Sequence, residues 1–192
     1  MRVATLAFCV AAVCAAPAAM AASGAAVYAP AAAAQAKPLP PVQRFERRFL
    51  QITAADLRFQ SEASRLALAR SNNPAVKDLA NTLLARQQTA QPELLRMLHA
   101  RGMAMPIPSN AHGKVLRQLA KLNGARFDRL YVDEVVMRSY QADISNYEKA
   151  AAQAEDPVLK AWVDRQLPTL RFHFAKAGRA LPNASLRGHR AV

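Results

Sequence analysis

Glycine is scarce in this chain, with 6 among 192 residues, only 6% of residues are aromatic, and cysteine is confined to Cys9 and Cys14. So little glycine excludes a collagen-like repeat, and no Gly-rich phosphate loop or Gly-x-Ser-x-Gly elbow occurs. Two cysteines near the amino terminus exclude a disulfide scaffold. No apolar run of about 20 residues follows the amino terminus, which excludes a multi-span membrane protein. Acidic side chains are also few, 13 Asp and Glu against 26 Lys and Arg, for a formal net charge of +13. What remains is 52% apolar and 20% charged, enough for one core in one domain. Abundant Ala with little Gly points to helix.

The amino terminus reads as an export signal. Met1-Arg2 is a short basic start, Val3 to Ala16 is an apolar run, and Ala19-Met20-Ala21 places small residues at cleavage spacing, so processing is expected before Ala22. An uncleaved anchor is the competing reading, disfavoured by Pro17 and by the weak hydrophobicity of alanine. Phe8 and Val13 precede the two cysteines, which does not suit a lipoprotein signal. Without residues 1–21 the chain has no cysteine, so thiolate catalysis and Cys-ligated metals are excluded. A short start, an Ala-rich run and a Cys-free body suit the bacterial periplasm or cell envelope.

Residues 22–41 are rich in Ala and Pro and read as an extended tether. The folded part is expected over residues 42–182, with 183–192 a loose basic tail. It contains four long helical stretches. Helix A covers about Val42 to Arg70. Helix B runs from Asn73-Pro74, a cap followed by a first-turn proline, to Gly102. After a loop with Pro106 and Pro108 comes a short helix, about Ala111 to Leu122. Helix C spans about Ala125 to Gln153, and helix D begins at Asp156-Pro157 and stops before Pro182. Such a pattern predicts an all-α four-helix bundle with an extra short helix before helix C.

Helical projection gives each rod an apolar stripe. In helix D it is Leu159, Val163, Leu167, Leu170, Phe174, Ala177 and Leu181. In helix A it is Phe45, Phe49, Ile52, Phe59, Ala63, Leu66 and Ala67, with Asp56 and Gln60 inside it. In helix B it is Val76, Leu79, Leu83, Ala90, Leu94 and Met97, with Gln87 inside it. Pro92 and Pro168 fall mid-helix, where each removes a hydrogen bond and predicts a kink. Helix C loses phase: Phe127, Leu130, Tyr131 and Val135 share one face, and Met137, Tyr140, Ile144, Tyr147 and Ala151 another. A one-residue π-type insertion between about Val135 and Tyr140 would rotate the later half by about 100° and realign the two.

Three words carry a family resemblance: Ser64-Arg65-Leu66-Ala67, Gly124-Ala125-Arg126-Phe127-Asp128-Arg129-Leu130-Tyr131, and Leu167-Pro168-Thr169-Leu170-Arg171-Phe172-His173. By these, Phe49 to Leu181 resembles the bacterial domain of unknown function 4142, many of whose members are described as exported or outer-membrane proteins. The resemblance implies a ferritin-like bundle without a settled activity. Where the family tends to carry Glu in the first helix this chain has Gln60, and where it carries Asp-His in the second, Arg86-Gln87. The family's mid-helix-C histidine falls on Ser139 or Tyr140. His173 is retained.

The residues themselves give no metal set. Ferritin-like di-iron centres need Glu-x-x-His pairs, but Glu62, Glu93, Glu134 and Glu148 are followed at that spacing by Arg65, Arg96, Met137 and Ala151. No Ser/His/acid set can be assigned, so neither catalysis nor a cofactor is indicated. Asp56, Gln60, Gln87, Arg86 and His173 instead form a candidate polar core, bonding between helices as buried polar groups must. Such a core either fixes helix register or lines a ligand pocket.

Charge is the remaining signal. Beyond residue 21 the excess is 25 basic over 13 acidic side chains, or +12, and Pro157 to Val192 alone carries seven against one. Outside the cytoplasm such a field favours lipopolysaccharide, anionic lipid or cell-wall polymer, and no motif points to nucleic acid. Helix D offers Lys160, Arg165, Arg171, Lys176 and Arg179 for that contact, with Phe172 projecting among them and Trp162 near the boundary. The sequence thus predicts an exported, non-catalytic module that docks on an anionic envelope surface through helix D. The alternative is a small-ligand or metal-binding bundle built on Asp56, Gln60, Gln87 and His173.

Overall fold

A computed structural model of the chain describes residues 38–180. The expected signal, most of the tether and the basic tail lie outside the described residues. Those described are all helical, with no strand among them: α1 (Pro41–Arg70), α2 (Pro74–Ala100), α3 (Asn110–Leu119), α4 (Gly124–Leu130), a π-helical segment (Tyr131–Arg138), α5 (Ser139–Gln153) and α6 (Pro157–Ala180). No described helix is long and apolar enough to cross a membrane.

Local chemistry sets the ends. Asn73 Oδ1 accepts from the Ala75 N–H at 3.0 Å, Ser109 Oγ from the His112 N–H at 3.2 Å, and Asp156 Oδ1 from the N–H groups of Val158 and Leu159 at 2.9 Å. Each satisfies donors that a helix start leaves without an internal partner. Prolines occupy the first turn of α1 and α2, where no amide proton is needed. At the end of α2, Gly102 adopts φ 62° while its own N–H reaches His99 O and the Met103 N–H reaches Leu98 O, a Schellman closure. Pro92 and Pro168 do not end α2 or α6, both of which continue past them.

The anticipated irregularity in helix C is a real π segment, starting earlier than its apolar stripes indicated. It begins at Tyr131, and the Ser139 N–H reaches back five residues to Glu134 O. The wider turn lets Tyr131, Val132, Val135 and Val136 all be buried, and then presents Tyr140, Asp143, Tyr147 and Ala150 to the same interior from α5.

Four rods enclose the core: α1 against α2 and α5, and α6 against α2, α5 and the π segment. Arg70 Nη1 bonds Leu122 O at 3.4 Å at one end of the bundle. At the other, Glu46 accepts from the N–H groups of Glu155 and Asp156 at 3.0 and 2.9 Å. The chain therefore runs up α1, down α2, back along α3, down α4 to α5 and up α6. That single long crossover, with α3 lying on α1, is the connectivity of ferritin-like bundles.

The interior is broader than the sequence stripes. Leu50, Thr53, Ala54, Leu57, Ser61 and Ser64 join the buried face of α1, so this helix is covered on more than one side. Trp162 does not sit at the boundary: it is 1% exposed, 5.5 Å from Tyr147 and 6.5 Å from Phe49 between ring centroids. Burying that indole removes far more apolar surface from water than an aliphatic side chain does.

Candidate functional site

Midway along the bundle the apolar interior gives way to charge. Arg86 from α2 is 5% exposed, Asp143 from α5 3% and Gln60 from α1 1%. Arg86 Nη1 donates to Gln60 Oε1 at 2.9 Å and lies 3.3 Å from Asp143 Oδ2, which also accepts from Gln60 Nε2 at 2.9 Å. Three helices are tied by one closed triangle. A buried ion pair survives only when further bonds satisfy its members, and Gln60 supplies both.

Asp56, four residues before Gln60, lies near enough to Asp143 for each carboxyl group to feel the other, and its Oδ1 lies 3.2 Å from His112 Nε2 on α3. The His112 ring stacks on Phe59 with centroids 4.3 Å apart and planes 7° apart. Two buried carboxyl groups so placed favour keeping one of them protonated. Burial, and then the Asp143 charge, push the Asp56 carboxyl up to about 7. Burial raises Asp143 as well, against the pull of Arg86. Burial works against the Arg86 charge too, but Asp143, Tyr147 and Tyr140 outweigh it and the guanidinium is held charged. Burial lowers His112 and His173, so both imidazoles favour the neutral form.

Aromatic groups wall this centre. Tyr140 lies under the guanidinium, Arg86 Cζ being 5.7 Å from the ring centroid, and meets the His173 ring edge to face at 6.4 Å. Burial drives the Tyr140 hydroxyl up to about 12 and raises those of Tyr131 and Tyr147. Tyr131 shares a 2.9 Å hydrogen bond with Ser64. The Tyr147 hydroxyl comes beside Arg86, yet neither it nor the Tyr140 hydroxyl meets a partner at hydrogen-bonding geometry. Arg86 Nε and Nη2 are likewise unpartnered.

Of the sequence candidates, Asp56, Gln60 and Arg86 converge here and His173 reaches the edge. Gln87 does not: it bonds Gln91 at 2.9 Å in a groove between α1 and α2. Because Arg86 takes the inward position, its neighbour is turned away by about 100°. Asp143, Tyr140, Tyr147 and His112 belong to the centre but were not chosen. The 3-4 spacing of Tyr140, Asp143 and Tyr147 signals one face, whereas nothing in the sequence brings α3 and His112 to Asp56. Among the described residues no group of three His, Cys, Asp or Glu could hold a metal ion.

The candidate docking residues on α6 are exposed, but three are matched by acids. Arg165 pairs with Glu93 at 2.6 Å, Arg171 with Glu148 at 2.7 Å and Lys176 with Asp78 at 3.6 Å. Lys160 donates to Ala151 O at 2.6 Å. Phe172 is 61% exposed, and Arg179 has no ion pair among the described residues. Cations without such pairs include Arg65, Lys77, Lys121, Arg126, Arg129 and Arg179, where α1 and α6 end and α2 and α4 begin, in company with Asp78, Asp128 and Asp133. The opposite end mixes Arg44, Arg48 and Arg101 with Glu46, Glu155 and Asp156.

No curated protein and no solved structure matches the chain. The sequence profile described as Domain of unknown function (DUF4142) matches residues 29–180, which takes in the polar centre and all four rods. The chain belongs to the DUF4142 family.

Proposed function

We propose that this protein is an exported, non-catalytic module of the cell envelope that docks on a phosphate-bearing lipid surface. The observation that carries the reading is a group of cations at one end of the bundle: Arg65, Lys77, Lys121, Arg126, Arg129 and Arg179 have no ion pair among the described residues, and they outnumber the acids there, Asp78, Asp128 and Asp133, the first of which pairs with Lys176. Charges already matched by Glu93, Glu148 and Asp78 leave less of α6 for an outside anion, so contact is end-on, with Phe172 flanking it. A field from several unpaired cations acts over about 10 Å at 0.1 M salt and about 3 Å at 1 M. The amino-terminal leader and the Ala/Pro tether support delivery outside the cytoplasm.

Co-sedimentation with phosphatidylglycerol and phosphatidylcholine vesicles tests this. Binding is expected to the first only, to fade with added salt, and to fall most in Arg126→Glu/Arg129→Glu/Arg179→Glu. Equal binding by that variant, or binding indifferent to salt, refutes the reading.

A further inference from the structure

The polar centre is unevenly satisfied around Arg86. On the α1 side every Arg86 contact is made, Nη1 meeting Gln60 and Asp143. Nε and Nη2 of Arg86 and the Tyr140 hydroxyl are buried and unpartnered, while the Tyr147 hydroxyl lies against the guanidinium, where it can accept from it. The first three can donate, and Arg86 carries a full charge. Leaving such donors without acceptors costs free energy each time. The edge of a guanidinium bearing Nε and Nη2 is also the fork that matches two oxygens of a carboxylate or phosphate.

Arg86 lines a cleft between α2 and α6, about 330 Å³ in volume, with Thr82, Thr89, Gln166, Thr169 and His173. Thr82 and Thr89 donate their hydroxyl protons to Asp78 O and Ala85 O of their own helix, both at 2.9 Å. Those hydroxyl protons are therefore taken, and Arg86 is the charged group that lines the cleft. His173, with Nδ1 also unpartnered, closes the cleft beside Tyr140, and Lys176 lies close enough to disfavour its protonation.

We infer that the cleft between α2 and α6 admits one small oxyanion, a carboxylate or an inorganic phosphate or sulfate, to the Nε–Nη2 edge of Arg86, with the Tyr140 hydroxyl, beside Arg86 and His173, as a further donor. The carboxyl pair of Asp56 and Asp143 stays behind the guanidinium, holding it in place from the α1 and α5 side. This site is independent of lipid docking. The ligand meets the interior of the bundle, and the surface cations of the preceding section take no part.

Calorimetric titration of the purified protein with acetate, inorganic phosphate and sulfate, each against sodium chloride at equal ionic strength, tests the inference. One-to-one saturable binding of at least one of the three is expected, and the strongest of them identifies the oxyanion class. Tyr140→Phe keeps the ring and removes one donor, so it should weaken that binding by about tenfold. Arg126→Glu/Arg129→Glu should leave it unchanged while reducing vesicle binding, which separates the two readings. Absence of saturable binding beyond the chloride control overturns the inference. So does unchanged affinity in Tyr140→Phe when its thermal unfolding shows it folded.

Discussion

Replacing Asp56 by Asn probes the buried carboxyl pair most directly. Asn mimics the protonated acid permanently: its Oδ1 can accept from His112 Nε2–H, and its amide can donate to Asp143. In the native fold the Asp56 pKa stands at about 7 against an ordinary value of 3.8, so the folded state retains a proton that the unfolded chain releases. Stability must therefore fall as pH rises from about 4 to about 7 and level off above, because over that window the folded state binds more protons. Three pKa units at about 1.4 kcal/mol each put the cost on the order of 4 kcal/mol for Asp56 in alkaline solution. Asp56→Asn has no such proton to lose. Urea unfolding followed by circular dichroism from pH 4.5 to 8.5 should show variant and wild type nearly alike at the acid end. The variant should pull ahead by several kcal/mol at the alkaline end. Parallel curves across the range would refute the raised Asp56 pKa and its burial beside Asp143.

Arg86→Leu strands Asp143, whose side chain is only 4% exposed, and should destabilise by about 3–5 kcal/mol. Arg86→Leu/Asp143→Leu should recover much of that loss, and denaturant midpoints of the three proteins decide it. Gly102→Ala places a side chain at φ 62° in open space, so backbone strain alone should cost about 1 kcal/mol, read as a lower thermal midpoint with unchanged helix content. Phe172→Ser, at a 61% exposed position, should leave stability within about 0.5 kcal/mol. If Phe172 flanks the docking end, vesicle binding should weaken.

Much of the scaffold was legible because helices announce themselves locally. Asn73-Pro74, Asp156-Pro157 and the run of Phe, Leu and Ala at 3-4 spacing set α2, α6 and α1 within a residue or two of their observed starts. Even the π segment left a trace, since the stripes before and after it could not share a face. Its start was misplaced because Tyr131 and Val132 read equally well as continuing an ordinary helix. The polar centre was only half visible. Asp56 and Gln60 stand out within an apolar stripe, but Asp143 lay where the helix phase was already broken, and Trp162 looked peripheral until α5 covered it.

From its residues alone the chain dictates an all-helical body, a cysteine-free interior and an excess of positive charge, because propensity, periodicity and net charge are properties of short segments or of sums. Only tertiary structure decides which charges are matched and which are free. Arg86 and Gln87 differ little in sequence context, yet one lies among Asp143, Gln60 and Tyr140 and the other against its own helix. His112 reaches Asp56 only through the crossover that lays α3 on α1. Electrostatic energy depends on distance and burial between groups far apart in the chain, and those quantities exist only once the four rods have closed.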